Sequence, residues 1–348
     1  MNVTIKPFGK TPDNREITLY SITNSNGMQA DLIDYGAALV NLFVPDKNGD
    51  LADVVTGYDN LGAYLGSHPY FGVVVGPNAN RIGNATFTLN GEKHQLSVND
   101  GPNNLHSHDE LGYQRRVWES AIYDTGVTFI LNDDDERLGF PGKKRMSITY
   151  TLTENNELKL EYSAVSDKDT IINPTNHTYF NLAGHQADTI NDHIIKINAG
   201  NYTPVVPGAI PTGEIAPVAG TPLDFTVPTR IGDRVDDDFE QLKLVGGYDH
   251  NWVINDYDGT VKEAARLTDP VSGRSMVTLT DLPGIQLYGG NMIPTHTGKE
   301  NAAYHSRCAL CLETQFFPDS ANQPEFPSAV FGPTRPYVST TIYRFENI

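Results

Sequence analysis

Apolar and polar side chains alternate along successive short segments of this chain, and no stretch carries the spacing of a long amphipathic helix. Alternation of period two puts one face of a segment into a core and the other into solvent, so the chain must be built from strands. Met146, Ile148, Tyr150 and Leu152 share one face, and Ser147, Thr149 and Thr151 share the other. After a polar turn at Asn155-Asn156 the pattern resumes in Leu158, Leu160, Tyr162 and Ala164, which reads as a β-hairpin with one buried face. Ala85, Phe87 and Leu89 run into Asn90-Gly91, a pair suited to the left-handed turn of a tight hairpin. A third hairpin is expected between Ala121 and Leu131, turning at Asp124-Thr125-Gly126. The 31 glycines and 22 prolines are dispersed, as many turns between short strands require. The segment 201–235 is proline-rich, but its apolar residues favour a packed excursion over a linker. The expectation is all-β: one large single-domain antiparallel β-sandwich over residues 1–348, with minor helical turns near 59–65 and 229–240.

A formal charge of −18, from 25 Lys plus Arg against 43 Asp plus Glu, leaves no basic surface for nucleic acid. The opening Met-Asn-Val-Thr-Ile-Lys-Pro-Phe-Gly lacks the apolar core of a secretory signal. No later stretch approaches the ~18 apolar residues of a membrane helix, so a cytoplasmic location without membrane contact is expected. Cys308 and Cys311 have CxxC spacing but read as part of a buried strand, where residues three apart face opposite ways. That argues against a redox pair or half of a zinc site.

Residues 173–184, Asn-Pro-Thr-Asn-His-Thr-Tyr-Phe-Asn-Leu-Ala-Gly, set His177 among amides, hydroxyls and rings without a flanking charge. Such a lining suits a neutral polyhydroxylated ligand, and a histidine adds proton transfer near neutral pH. The competing reading is a histidine satisfied within the core. Glu313 follows the apolar run 309–312, and a carboxylate at the end of a buried strand is there to be paired or used. His106 and His108 form an HxH pair that could hold a metal with Asp109 or Glu110, but no second ligand cluster supports it and no metal is expected. Asp249 lies between aromatic residues in Tyr248-Asp249-His250-Asn251-Trp252, with Trp252 read as core filler. Arg81, in the turn Pro77-Asn78-Ala79-Asn80-Arg81-Ile82-Gly83, offers a guanidinium fork for hydroxyls or a carboxylate, or is simply exposed.

Seven segments in order, Ala79-Asn80-Arg81-Ile82, Asn104-Leu105-His106, Asn173 to Leu182, Ile210 to Ile215, Tyr248 to Trp252, Gln286-Leu287-Tyr288 and Leu312-Glu313-Thr314-Gln315, together resemble the galactose mutarotase (aldose 1-epimerase) family. The resemblance runs from about residue 30 to the end of the chain. It implies the large mutarotase-like supersandwich and a cofactor-free, metal-independent interconversion of α and β anomers of a free monosaccharide such as D-galactose or D-glucose, or of a reducing disaccharide. It also implies Glu313 as general base, His177 as general acid, His106 as a second histidine at the ring, and Arg81, Asn80, Asp249 and Gln286 as hydroxyl binders. A monomer or a homodimer would serve. With Glu313 ionised and His177 protonated, unperturbed groups would favour a pH window of about 4.3 to 6.5, extended upward by their attraction. Two departures from the family pattern adjoin these contacts: Ser107-His108 stand where a Gly-Gly pair is usual, and Pro77-Asn78 precede Ala79. The alternatives are a hexose 6-phosphate epimerase drawing on Arg115, Arg116, Lys143, Lys144 and Arg145, a carbohydrate-binding protein without turnover, and a glycosidase using Glu313 and Asp249.

Overall fold

The alternating segments pair into three large antiparallel sheets, with six two-stranded ribbons beside them, in the computed structural model, which describes residues 2–66, 69–123 and 125–348. The first is a five-stranded meander in chain order, Asn2–Lys10, Glu16–Thr23, Gln29–Ile33, Ala38–Pro45 and Leu51–Asp53. The largest is nine-stranded and contains the expected hairpin, Lys144–Leu152 against Glu157–Ser166, with Ile148 opposite Tyr162 and Tyr150 opposite Leu160. A six-stranded sheet runs in the order Tyr179–Phe180, Leu310–Gln315, Gly284–Tyr288, Asp249–Val253, Asn201–Thr203 and Ala216–Pro217.

One apolar cluster joins all three sheets, with Leu39 and Leu42 from the first, Phe129, Ile148 and Leu160 from the second, and Leu287, Leu310 and Leu312 from the third. Hydroxyls on large rings fix the layers: Tyr150 donates to the carbonyl of Ala37 at 2.8 Å, and Tyr343 to that of Leu312 at 3.1 Å. Each ring thus fills core volume while its one polar atom is satisfied at the far side. This is the expected antiparallel β-sandwich.

Asn90 (φ 51°) and Gly91 (φ 82°) turn between the paired strands Thr86–Leu89 and Glu92–Gln95, as their left-handed preference anticipates. The third hairpin pairs Glu119–Tyr123 with Gly126–Asp133; Asp124 lies outside the described residues. Among the described residues, α-helix is confined to Leu61–Leu65 and Glu240–Val245; a 3-10 turn at Ile231–Asp233 lies near the second, and others stand at Gly83–Ala85, Tyr113–Arg115, Arg137–Gly139 and Lys299–Asn301. None among the described residues is long and apolar enough to cross a membrane. The 201–235 segment packs inward, putting Leu223, Phe225 and Ile231 into the main core. Trp252 is fully buried there, donating from Nε1 to the carbonyl of Leu223, so it is core filler as expected. Cys311 lies in a strand but Cys308 sits in the bend before it; both are buried free thiols.

Asp53 and Lys299 form a buried ion pair at the end of the first sheet. Lys299 also donates to the carbonyl of Val40 (2.8 Å) and the side chain of Asn41 (3.1 Å), while Asp53 accepts from the backbone N–H groups of Leu42 and Val55.

Candidate active site

The Leu310–Gln315 strand is buried at every position, so its two faces must meet different surroundings. Leu310 and Leu312 face the main core, and Thr314 meets Thr341 of the large sheet at 2.5 Å. Cys311, Glu313 and Gln315 therefore face the other way. Register extends this face sideways: Cys311 is opposite Tyr288, which is opposite Asp249, and Glu313 is opposite Gln286, which is opposite Asn251. A polar floor is thus laid across three strands whose other face is apolar.

Loops close the cleft from above. His177 lies between the short strands Thr175–Asn176 and Tyr179–Phe180; its N–H donates to the carbonyl of Val73, and its own carbonyl accepts from Gly72. Gly72 cannot carry a side chain, since a Cβ there would lie 2.0 Å from the carbonyl oxygen of Leu39, and its φ is +69°. The imidazole is nearly parallel to the rings of Tyr179 (5.0 Å, 28°) and Tyr70 (5.6 Å, 30°) and meets His106 edge-on at 5.2 Å. His106 enters from a left-handed turn (φ 51°), where Nδ1 accepts the backbone N–H of Asn80 at 3.1 Å. That bond leaves Nε2 to carry the hydrogen of the neutral ring.

The two departures from the family pattern meet each other. The hydroxyl of Ser107 accepts from the N–H of Asn78 and donates to its carbonyl, both at 2.9 Å, and Ser107 is fully buried. Ser107 also has φ 68°, a backbone conformation that explains a glycine elsewhere at this position. Neither residue lines the cleft; together they clamp the His106 turn to the turn that presents Asn80 and Arg81. Ser107→Ala strands two buried backbone groups and should cost about 1–3 kcal/mol, read as a lowered denaturation midpoint with unchanged m-value. A loss below about 0.5 kcal/mol would show that the clamp is replaceable.

The cleft is lined by Asn80, Arg81, His106, His177, Asp249 and Glu313 with a collar of rings. Arg81 donates from Nε to Asp100 at 2.7 Å and lies 3.9 Å from Asp249. Glu313 Oε2 is 3.9 Å from Nε2 of His177 and, though buried, has no hydrogen-bond partner among the described residues. Burial pushes the Glu313 carboxyl up to about 8, with Asp249 acting the same way and Arg81 partly opposing. Burial pulls His177 down to about 4. His106 is held well below its ordinary value by burial, then by His177 and Arg81. The unperturbed pH window expected from the sequence is therefore replaced, because a dry cleft disfavours both charges.

Six of the seven expected site residues converge here. Gln286 lies in the floor beside Glu313 but spends its amide on Asp249, to which it donates at 2.7 Å. The 173–184 stretch also differs from its reading as a ligand lining. Asn173 clamps the backbone of Phe316 through both side-chain atoms, Asn176 donates to the carbonyl of Gly72 and Asn181 to that of Cys308, leaving His177 and Tyr179 to face the cleft. His108 is turned back to accept from Glu110 and Leu111, so no HxH site forms. Among the described residues, the group able to hold a metal is His177, Cys311 and Glu313, whose ligand atoms lie within 4.8 Å of one another. Arg115 is spent on the carbonyls of Tyr64 and Gly66, and Arg116 and Lys144 gather on Asp133. Among the described residues, Arg81 is the one Arg or Lys lining the cleft, which disfavours a phosphosugar. Tyr70 and Met292 were not foreseen: each is a single residue without a local pattern.

Residues 18–344 match the family model described as aldose 1-epimerase. The chain is 38% identical over 347 residues to the galactose mutarotase of Mus musculus, covering 99% of each chain. It is 34% identical over 337 residues to the aldose 1-epimerase of Escherichia coli K12, covering 96% of each. A crystal structure of galactose 1-epimerase from Lactobacillus acidophilus superposes with a TM-score of 0.86 at 27% identity, covering 99% of each chain. A sandwich matched along nearly its whole length, with a carboxylate facing a histidine in its polar cleft, therefore belongs to the aldose 1-epimerase family.

Proposed function

We propose that this cleft interconverts the α and β anomers of a free aldose by opening and reclosing its pyranose ring. The observation that carries the reading is the buried, unpartnered Oε2 of Glu313 facing Nε2 of His177 at 3.9 Å. The anomeric hydroxyl and the ring oxygen share one carbon, so a base and an acid at this separation can serve both at once. Glu313 takes the proton of the anomeric hydroxyl while His177 delivers one to the ring oxygen. The ring opens, the bond beside the aldehyde rotates, and closure on the other face returns both protons. His106, neutral with hydrogen on Nε2, supports the oxygen that gains charge. Arg81, Asn80 and Asp249 bind hydroxyls, with Gln286 holding Asp249, and the tyrosine rings cover the apolar face of the sugar. The reading takes residues 1–348 as one domain acting in the cytoplasm, as monomer or homodimer, without metal or cofactor, on a monosaccharide such as galactose or glucose or on a reducing disaccharide.

Ring opening needs one proton on the Glu313–His177 pair. With the carboxyl at about 8 and the imidazole at about 4, the pair holds one proton between those values, resting on Glu313 and shifting to His177 in the reactive form. Below the lower value a second proton removes the base, and above the upper value the acid is lost. The rate should therefore be level across roughly pH 5 to 7 and fall on both sides. A titration within that range, in polarimetry corrected for spontaneous mutarotation, would dismiss the pair as the reacting groups.

The activity itself is tested by polarimetry on freshly dissolved α-D-galactose, α-D-glucose and maltose. Faster approach to the same final rotation is expected, and the order of rates ranks the sugars. No acceleration on any of them by folded protein would turn the cleft into a binding site without turnover.

A further inference from the structure

Cys311 takes no part in the steps above, yet it shares a strand face with Glu313 and its Sγ lies 3.4 Å from Nδ1 of His177. The two histidines of the cleft are therefore held alike. Nδ1 of His106 accepts the N–H of Asn80, and Nδ1 of His177 meets a thiol. A neutral imidazole carries its hydrogen on one nitrogen, and the bond made by the other nitrogen decides which. We infer that Cys311 is a positioning residue whose S–H donates to Nδ1 of His177, holding the hydrogen on Nε2 and aiming that donor at the cleft. The inference rests on the proposed role of His177 as acid.

The surroundings allow this assignment. Burial, then Glu313 and Asp249, push the thiol well above its ordinary value, so it keeps its hydrogen. The rings of Tyr179 and Tyr70 pack near the imidazole at interplanar angles of 28° and 30°, with Glu313 on its Nε2 side and His106 and Tyr288 meeting it edge-on. When the ring takes its second proton at Nδ1 to become the acid, the thiol turns to accept that N–H, so an Nε2–H faces the cleft in both forms. Without the thiol, the neutral ring can carry its hydrogen on Nδ1 and turn a lone pair on Nε2 toward Glu313.

Cys311→Val keeps the volume and removes the donor, whereas Cys311→Ser keeps a donor. We expect Val to lower kcat by about 3- to 10-fold, the value of one hydrogen bond, with KM within about twofold, and Ser to recover most of the loss. Long-range ¹H–¹⁵N spectra of ¹⁵N-histidine-labelled wild-type protein should show His177 protonated at Nε2, shifting to a tautomer mixture in the Val variant. Wild-type kcat in folded Cys311→Val, or a wild-type spectrum with the proton on Nδ1, would overturn the inference. The wild-type spectrum decides even if the Val variant does not fold. Were His177→Asn to keep its activity, the acid assignment would fail, while the spectra would still report whether the thiol sets the tautomer.

Discussion

Glu313→Gln and His177→Asn are each expected to slow anomer exchange at least ~100-fold in polarimetry, the usual cost of losing a positioned base or acid. Glutamine matches the shape of Glu313, whose Oε2 makes no hydrogen bond, so the variant should fold with the cleft intact. Its stability carries a second signature. The folded carboxyl, raised to about 8 by burial, is protonated at neutral pH, whereas the unfolded one, at its ordinary value, is ionised. The native state thus binds the extra proton, and Glu313 draws stability from the fold as pH rises from the unfolded value towards about 8. Glu313→Gln should therefore melt at the same temperature as wild type or higher at pH 7, while losing activity. That trade is the mark of a site shaped for chemistry. A fall of only a few-fold in either variant would remove that residue from the mechanism.

The largest expected loss of stability lies away from the cleft, in Asp53→Asn. Lys299 is 2% exposed and Asp53 7%, so the substitution leaves an ammonium buried without its counter-charge. Breaking such a pair on one side costs about 3–5 kcal/mol. The asparagine oxygen can still accept from Leu42 and Val55, so the loss isolates the charge. Urea denaturation should show the fall, with activity per folded molecule unchanged. Adding Lys299→Met should recover much of it, since removing both charges avoids the stranded one. A single variant within about 1 kcal/mol of wild type would mean that solvent reaches the lysine.

Strands were legible because their period is local. The alternation of Met146 to Leu152 against Leu158 to Ala164 and the Asn90-Gly91 turn each carry their signal within a few residues, and both appear as read. Glu313 was legible for the same reason, as a carboxylate in an apolar run. The seven ordered motifs then pointed to the family as a whole. The roles of the amides in 173–184 were not legible, because a side chain that binds a ligand and one that clamps the backbone of Phe316 are the same residue type in the sequence.

Residue order alone was enough to show an all-β chain with alternating core positions, to point to the aldose 1-epimerase family, and to nominate Glu313, His177 and their neighbours for the proposed proton transfer and hydroxyl binding. The tertiary structure alone decided what those groups become. It set Glu313 3.9 Å from His177 in a buried cleft, tied Gln286 to Asp249, and brought Cys311 to Nδ1 of the imidazole. The physical reason is that proton affinity and tautomer depend on burial and on neighbours far away in the chain. Cys311 is 134 residues from His177, a distance closed only by strand register.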